Sequence, residues 1–260
     1  MIQLFIDGIG LLGPGLDSWP QGRQVLAGQM PYEPCPVRPP VIASLPAAER
    51  RRAGFTVRLA VAAGLESLTQ SGCNPVDMAM VFAASGGDGA TNHETLEVLA
   101  SGQRDVSPTR FHNSVHNAPS GYWAVATGSR APSTSLSALD GTFVAGLLEA
   151  GVQAAVDDRP VTLIAYDAPY PEPLNSIRQI GSVFAAAIVL TPRRTARSLA
   201  ALTLEVHRSG SRETKMVDAD LERLRIGNPA ARALPLLAAL AKLHAVPVSL
   251  NGLEMTVTPA

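Results

Sequence analysis

Apolar and polar stretches alternate along the chain in a way that reads as strands and helices in turn. Ile2–Ile9 is an apolar strand that runs into a glycine-rich turn. Residues 13–46 are rich in Pro and Gly and carry no period, so they read as a long excursion. From Ala47 to Ser71 the positions Ala53, Val57, Ala60, Val61, Gly64, Leu65 and Leu68 share one helical stripe, which starts after Pro46 and stops at Gly72. Met78–Ala84 is a strand apolar on both faces, closed by Ser85-Gly86-Gly87-Asp88-Gly89. A short helix at Glu94–Leu99 and a longer one at Ser114–Gly128, kinked or started by Pro119, follow. Ser133–Leu139 is a strand and Gly141–Val156 a helix of small residues. Val161–Tyr166 and Val183–Leu190 are apolar strands with a loop at Pro169–Pro173 between them. Leu199–His207 reads as an edge strand, Ala230–His244 as a helix and Val246–Val257 as a polar-ended tail. Apolar strands alternating with helices predict one layered α/β/α domain over residues 1–260, in which 193–260 are poorly assigned.

Composition narrows the function classes. The 260 residues are 46% apolar and 17% charged, a globular balance. With 21 basic and 22 acidic residues, there is no basic excess to bind nucleic acid. Arg50-Arg51-Arg52 and Arg193-Arg194 read as solvated ends of elements. Two cysteines, Cys35 and Cys73, do not make a disulfide framework, and neither adjoins a His or basic residue that would activate its thiol. No secretory leader pattern and no apolar run of about 20 residues is seen, so the expectation is a soluble cytoplasmic protein away from membranes.

Several motifs compete for a chemical role. Gly8-Ile9-Gly10-Leu11-Leu12-Gly13 matches a dinucleotide fingerprint, but that motif needs a helix beginning on it, and Pro14, Gly15 and Pro20 prevent one. His112 and His116 could share a helix face, yet two histidines fall short of a metal site. No cofactor and no metal are therefore expected. Asn113, His116 and Asn117 read more simply as hydrogen-bonding buried backbone at a helix start. Ser85 reads as part of a structural glycine turn near a pocket, since Ala-Ala-Ser-Gly-Gly is not a nucleophile elbow. Asp140 sits where a strand meets a helix N-terminus, where its plain role would be an N-cap.

The order of motifs resembles β-ketoacyl synthases. Phe5-Ile6-Asp7-Gly8-Ile9-Gly10, then Pro14-Gly15, Trp19 and Leu26-Ala27-Gly28, is similar to the opening of that family. The helix at 47–71, the Val81–Gly87 strand and turn, and Pro108–Gly128 with Phe111 and Asn117 continue the likeness, which extends to about residue 192. In the family, G-P-S leads within a few residues to T-A-C; counted from Pro132, the nucleophilic cysteine falls on Asp140. A carboxylate there cannot replace the thiolate that accepts an acyl group. The chain also stops before the second half that carries the family's catalytic histidines, and His207 and His244 lack the flanking motifs.

The run Arg110–Ala118 resembles short ketosynthase-like chain-length factors of aryl polyene pathways. The resemblance implies a thiolase-like fold, mainly the N-terminal half of a ketosynthase, and no catalytic residue of its own. It implies a heterodimer with an active ketosynthase in type II fatty acid or polyketide biosynthesis, with acyl carrier protein delivering the chain; a homodimer could form without the partner. By the same resemblance Phe111, His112, Asn113, Ser114, His116 and Asn117 lie at the interface and line the partner's acyl tunnel, with Phe111 the leading candidate for a length gate. Two other readings stand beside it: an enzyme with altered acyl-thioester chemistry that uses Asp140, and a plain scaffold.

Overall fold

The computed structural model describes residues 1–102, 105–207, 212–242 and 244–259. Position 243, within the helix expected at Ala230–His244, lies outside the described residues.

Five strands form the first part of one mixed sheet: β1 (Ile2–Leu12), β2 (Ala79–Ala83), β3 (Ser133–Leu136), β4 (Val161–Asp167) and β5 (Phe184–Thr191). Residues 193–260, which the sequence left poorly assigned, add β6 (Ala200–Val206), β7 (Val246–Leu250) and β8 (Leu253–Pro259). The sheet order is β3-β2-β4-β5-β1-β6-β8-β7. Strand β2 pairs in parallel with β3 and β4, and the other ladders are antiparallel. The tail is thus a hairpin, reversed at Asn251-Gly252 where both residues have positive φ.

Successive strand residues point to opposite sides, and the central strands β2, β4 and β5 are buried on both faces, whereas β6, β8 and β7 bury one face only. On one face Met80, Phe82, Ile164 and Tyr166 pack beneath α3 (Phe55–Ser71) and α6 (Ala118–Thr127). On the other, Val81, Ala83, Leu163 and Ala165 meet α1 (Trp19–Leu26) and α7 (Thr142–Val156), joined by α9 (Ala219–Gly227) and α10 (Leu234–Ala241). The stretch Leu139–Val156 is long and apolar enough to cross a membrane, which the sequence reading did not anticipate, but Phe143, Leu147, Ala150 and Ala154 of α7 are buried against the sheet.

The remaining helices adjust the predicted boundaries. The helix expected over 47–71 is two: α2 (Ala47–Arg52) and α3, separated where Ala53 and Gly54 take extended backbone. Asp88 enforces the break, since its carboxylate accepts from Thr56 Oγ1 at 2.8 Å and leaves no room for a side chain at Gly54. The short helix expected at 94–99 is α4 (Gly89–Ala100), capped by the same Asp88. The helix expected over 114–128 is α6, which starts later, at Ala118 with Pro119 in its first turn, and an unexpected short helix, α5 (Pro108–Asn113), precedes it. A last short helix, α8 (Leu174–Ile177), lies in the loop after β4.

The glycines of the fingerprint-like run serve packing, not phosphate binding. Strand β1 continues through them to Leu12. A Cβ at Gly8 would lie 2.1 Å from the Ser67 carbonyl oxygen, and one at Gly10 1.9 Å from that of Ala63, so α3 rests directly on the β1 backbone. Glu66 of α3 fixes the same junction: its carboxylate accepts from the backbone N–H of Leu11 at 2.8 Å and of Trp19 at 2.7 Å. Gly10→Ala is therefore expected to cost about 2–3 kcal/mol by overpacking. A urea melt of the variant checks this, and an unshifted midpoint would refute the close approach.

Candidate functional site

The parallel strands β3, β2 and β4 end side by side, and the loops beyond them converge with the turn that enters α7. Ser85, just past β2, is buried; its N–H and Oγ–H both donate to Asp167 Oδ1 at the end of β4, at 2.9 and 2.7 Å. Ser137, just past β3, donates from Oγ to the Ser85 carbonyl at 2.9 Å. His116 Nε2 faces the Ala84 carbonyl at 3.1 Å and so carries the proton there. The Tyr170 ring lies over the glycine loop, so close that a Cβ at Gly89 would be 2.2 Å from it.

Burial dominates the electrostatics here. It pushes the Asp167 carboxyl up from 3.8 to about 7, against the Ser85 hydrogen bonds. Asp167 Oδ2 has no partner among the described residues. Burial likewise raises the Tyr170 phenol.

The strand-to-helix turn carries the decisive chemistry. Leu139 takes the left-handed backbone, with φ 50°, and its side chain is exposed. Asp140 follows within a 3-10 turn, Leu139–Gly141, and does not cap α7: Gly141 holds the cap position. The Asp140 carboxylate instead accepts from Arg178 Nη2 at 2.7 Å, and this bond holds its carboxyl below the usual range. The cap expected of Asp140 is thus replaced by an ion pair with a loop 38 residues on. Thr142 supports the turn, its Oγ1 donating to the Leu139 carbonyl at 2.6 Å and accepting from Ala138 N–H at 2.9 Å. A nucleophile elbow presents a hydroxyl or thiol at such a turn; this one presents Leu139 and a paired carboxylate. The Asp140 side chain is 61% exposed, so Asp140→Asn is expected to change stability by no more than about 1 kcal/mol. Thermal melts would show it, and a loss several times larger would mean that the pair supports the fold.

The residues of the 111–117 segment separate into two groups. Asn113 is buried; its Nδ2 donates to the Arg52 carbonyl at 2.8 Å, and its Oδ1 accepts from Tyr122 Oη at 3.1 Å. With His116 on the Ala84 carbonyl, these two do bond backbone, as the simpler reading expected. The Asn117 side chain makes no cap at the start of α6. Ser114 folds back onto the Phe111 carbonyl at 2.8 Å. His112 is exposed and meets the Tyr122 ring edge-on at 6.3 Å, so the two histidines converge on no common point. Phe111 is 68% exposed. Arg178, Tyr170 and Asp167 were not singled out by sequence reasoning. For Asp167 a signal existed: a carboxylate closing an otherwise apolar strand.

Comparison with known proteins fits this geometry. Residues 19–240 match the family described as β-ketoacyl synthase, N-terminal domain. The chain belongs to that family. Among solved structures, this ketosynthase-family chain is similar to a ketosynthase (ApeO) in complex with its chain length factor (ApeC) from Xenorhabdus doucetiae, with 22% identity and a TM-score of 0.72 over 99% of this chain and 100% of that one. It is also similar to AntDE:AntF, a type II polyketide synthase acyl-carrier protein in complex with its ketosynthase bound to the hexaketide: 12% identity and TM-score 0.73, over 100% and 99% of the two chains. The ishigamide ketosynthase/chain length factor matches at 12% identity and TM-score 0.68, over 99% and 98%. No curated protein matches the chain. The fold is thus the thiolase-like ketosynthase fold, and the likeness takes in the three strands after residue 193.

Proposed function

We propose that this chain is a non-catalytic, chain-length-determining partner of an active β-ketoacyl synthase in type II polyketide or aryl polyene-like biosynthesis in the cytoplasm. The observation that carries the reading is the turn before α7, where a ketosynthase would need a thiolate and this chain has Leu139 and an Arg178-paired Asp140. Such a turn cannot accept an acyl group from a carrier protein, so the chemistry belongs to another subunit.

The surface beside the turn supports pairing. Strand β3 is the end of the sheet and bonds on one side only, to β2. The Pro132 and Leu136 carbonyls accept from Met80 of β2 and from Ala84 just past it, so the backbone groups of Ser133 and Ser135 face outward. An open edge of this kind invites a partner strand. The helix α4, which follows the loop after β2, has no buried residue and exposes Leu96 and Leu99. It is tied by Glu94 to Arg110 of α5 at 2.9 Å, and α5 and the turn after it expose Phe111 and Val115. Exposed apolar side chains on α4 and the 108–117 segment, together with an open strand edge, fit a protein interface. We assign Phe111, His112, Ser114 and Asn117 to that interface, with Phe111 closing the partner's acyl tunnel. Asn113 and His116 hold the segment in place from behind.

The test is a condensation assay. The purified chain with malonyl- and acyl-carrier protein is expected to give no β-ketoacyl product, and Asp140→Asn is expected to leave the output of a reconstituted ketosynthase complex intact. Turnover by the chain alone, abolished by Asp140→Asn, would establish the altered-enzyme reading instead.

A further inference from the structure

At the β7 end of the sheet, far from the β3 edge, an open groove of about 440 Å³ lies between α1, α10, β7 and the segment before α9. Its volume falls within the ~300–1,000 Å³ of small-molecule sites. Leu26, Met30, Met216, Leu221, Ala238 and Val246 line it. Met30 is 42% exposed and Val217, also on the lining, fully so, an arrangement that leaves apolar surface facing water at the rim.

The charge at this groove is distinctive. The chain has 21 basic residues, and only Lys215 and Lys242 are lysines. Both line this groove, and both are exposed. Elsewhere the chain uses arginine, whose planar fork suits fixed ion pairs; a lysine is a mobile point charge on a flexible stem. Asp218, the acidic residue on the lining, is already engaged: its Oδ1 accepts from the N–H groups of Asp220 and Leu221 at the start of α9.

We propose that this groove binds one linear aliphatic carboxylate, its tail along the apolar floor and its head between Lys215 and Lys242. The site stands apart from the β3 edge, so its test needs no ketosynthase.

Calorimetric titration of the full chain with hexanoate, octanoate, decanoate and decan-1-ol tests it. One molecule per chain is expected, with affinity rising roughly tenfold for each two methylenes added. The double variant Lys215→Gln/Lys242→Gln changes only exposed side chains. It is expected to weaken decanoate about tenfold, lose the salt dependence of binding and leave decanol unaffected. Ala238→Leu, which narrows the groove, should weaken every ligand that binds. The proposal is overturned if decanoate binds the double variant as well as the parent, if decanol matches decanoate in the parent, or if decanoate does not bind as a monomer. Sedimentation of the chain with phosphatidylglycerol vesicles in the absence of monomer binding would also overturn it, by making the groove a membrane contact.

Discussion

Phe111→Ala, assembled with its ketosynthase, is expected to yield acyl chains longer by one or more extension units. The physical case is that most of the ring faces outward. Phe111 is 68% exposed at the end of α5, and removing it should leave the isolated protein within about 0.5 kcal/mol of the parent. In the proposed complex the same ring would fill apolar space, and a chain growing toward it would have to displace or compress it, which overpacking makes costly. Truncation opens the space. Mass spectrometry of products from parent and variant complexes, at matched melting temperature, measures the effect. An unchanged profile would favour the scaffold reading.

The second large effect is a pH dependence seated at Asp167. Folding raises this carboxyl from 3.8 to about 7 by burying it. Between those values the folded protein holds a proton that the unfolded chain has released, so the group's contribution is fully present below 3.8 and is lost as pH rises through about 7. Ionising it inside the fold costs on the order of 4 kcal/mol. Asp167→Asn keeps an oxygen to accept from Ser85 and cannot ionise. Relative to the parent, the variant is expected to gain stability between pH 4 and pH 7, by a few kcal/mol in all, and to level off above that. Denaturant melts across that range give the difference directly. A difference that stays flat would mean that Asp167 is solvated and ionised in the fold.

The sequence made the sheet's central strands plain, because β2, β4 and β5 are apolar on both faces and could only be buried. It misplaced what depended on distant partners. The break at Gly54 is set by Asp88, whose carboxylate reaches across from the loop after β2. The apparent cap at Asp140 is an ion pair because Arg178 arrives from a loop with no periodicity of its own. The glycines at 8 and 10 fit a phosphate motif by spacing, and only the position of α3 reveals why they are small. The tail did carry a local signal: Asn251-Gly252 between alternating apolar residues marks a hairpin. Within the site, the family resemblance is what proposes Phe111. Tyr170 and Arg178 were not legible, since their contacts span loops that sequence cannot bring together.

The central claim is that this chain works as half of a complex joined at β3. Ser135→Pro tests it: the Ser135 backbone faces away from β2, so proline there spares the internal ladder and removes an edge donor. Co-expression with a ketosynthase followed by size-exclusion chromatography with mass detection is the measurement. The account predicts a one-to-one complex for the parent and a folded, uncomplexed chain for Ser135→Pro. A parent that elutes alone beside its ketosynthase, or a complex indifferent to the proline, would contradict it.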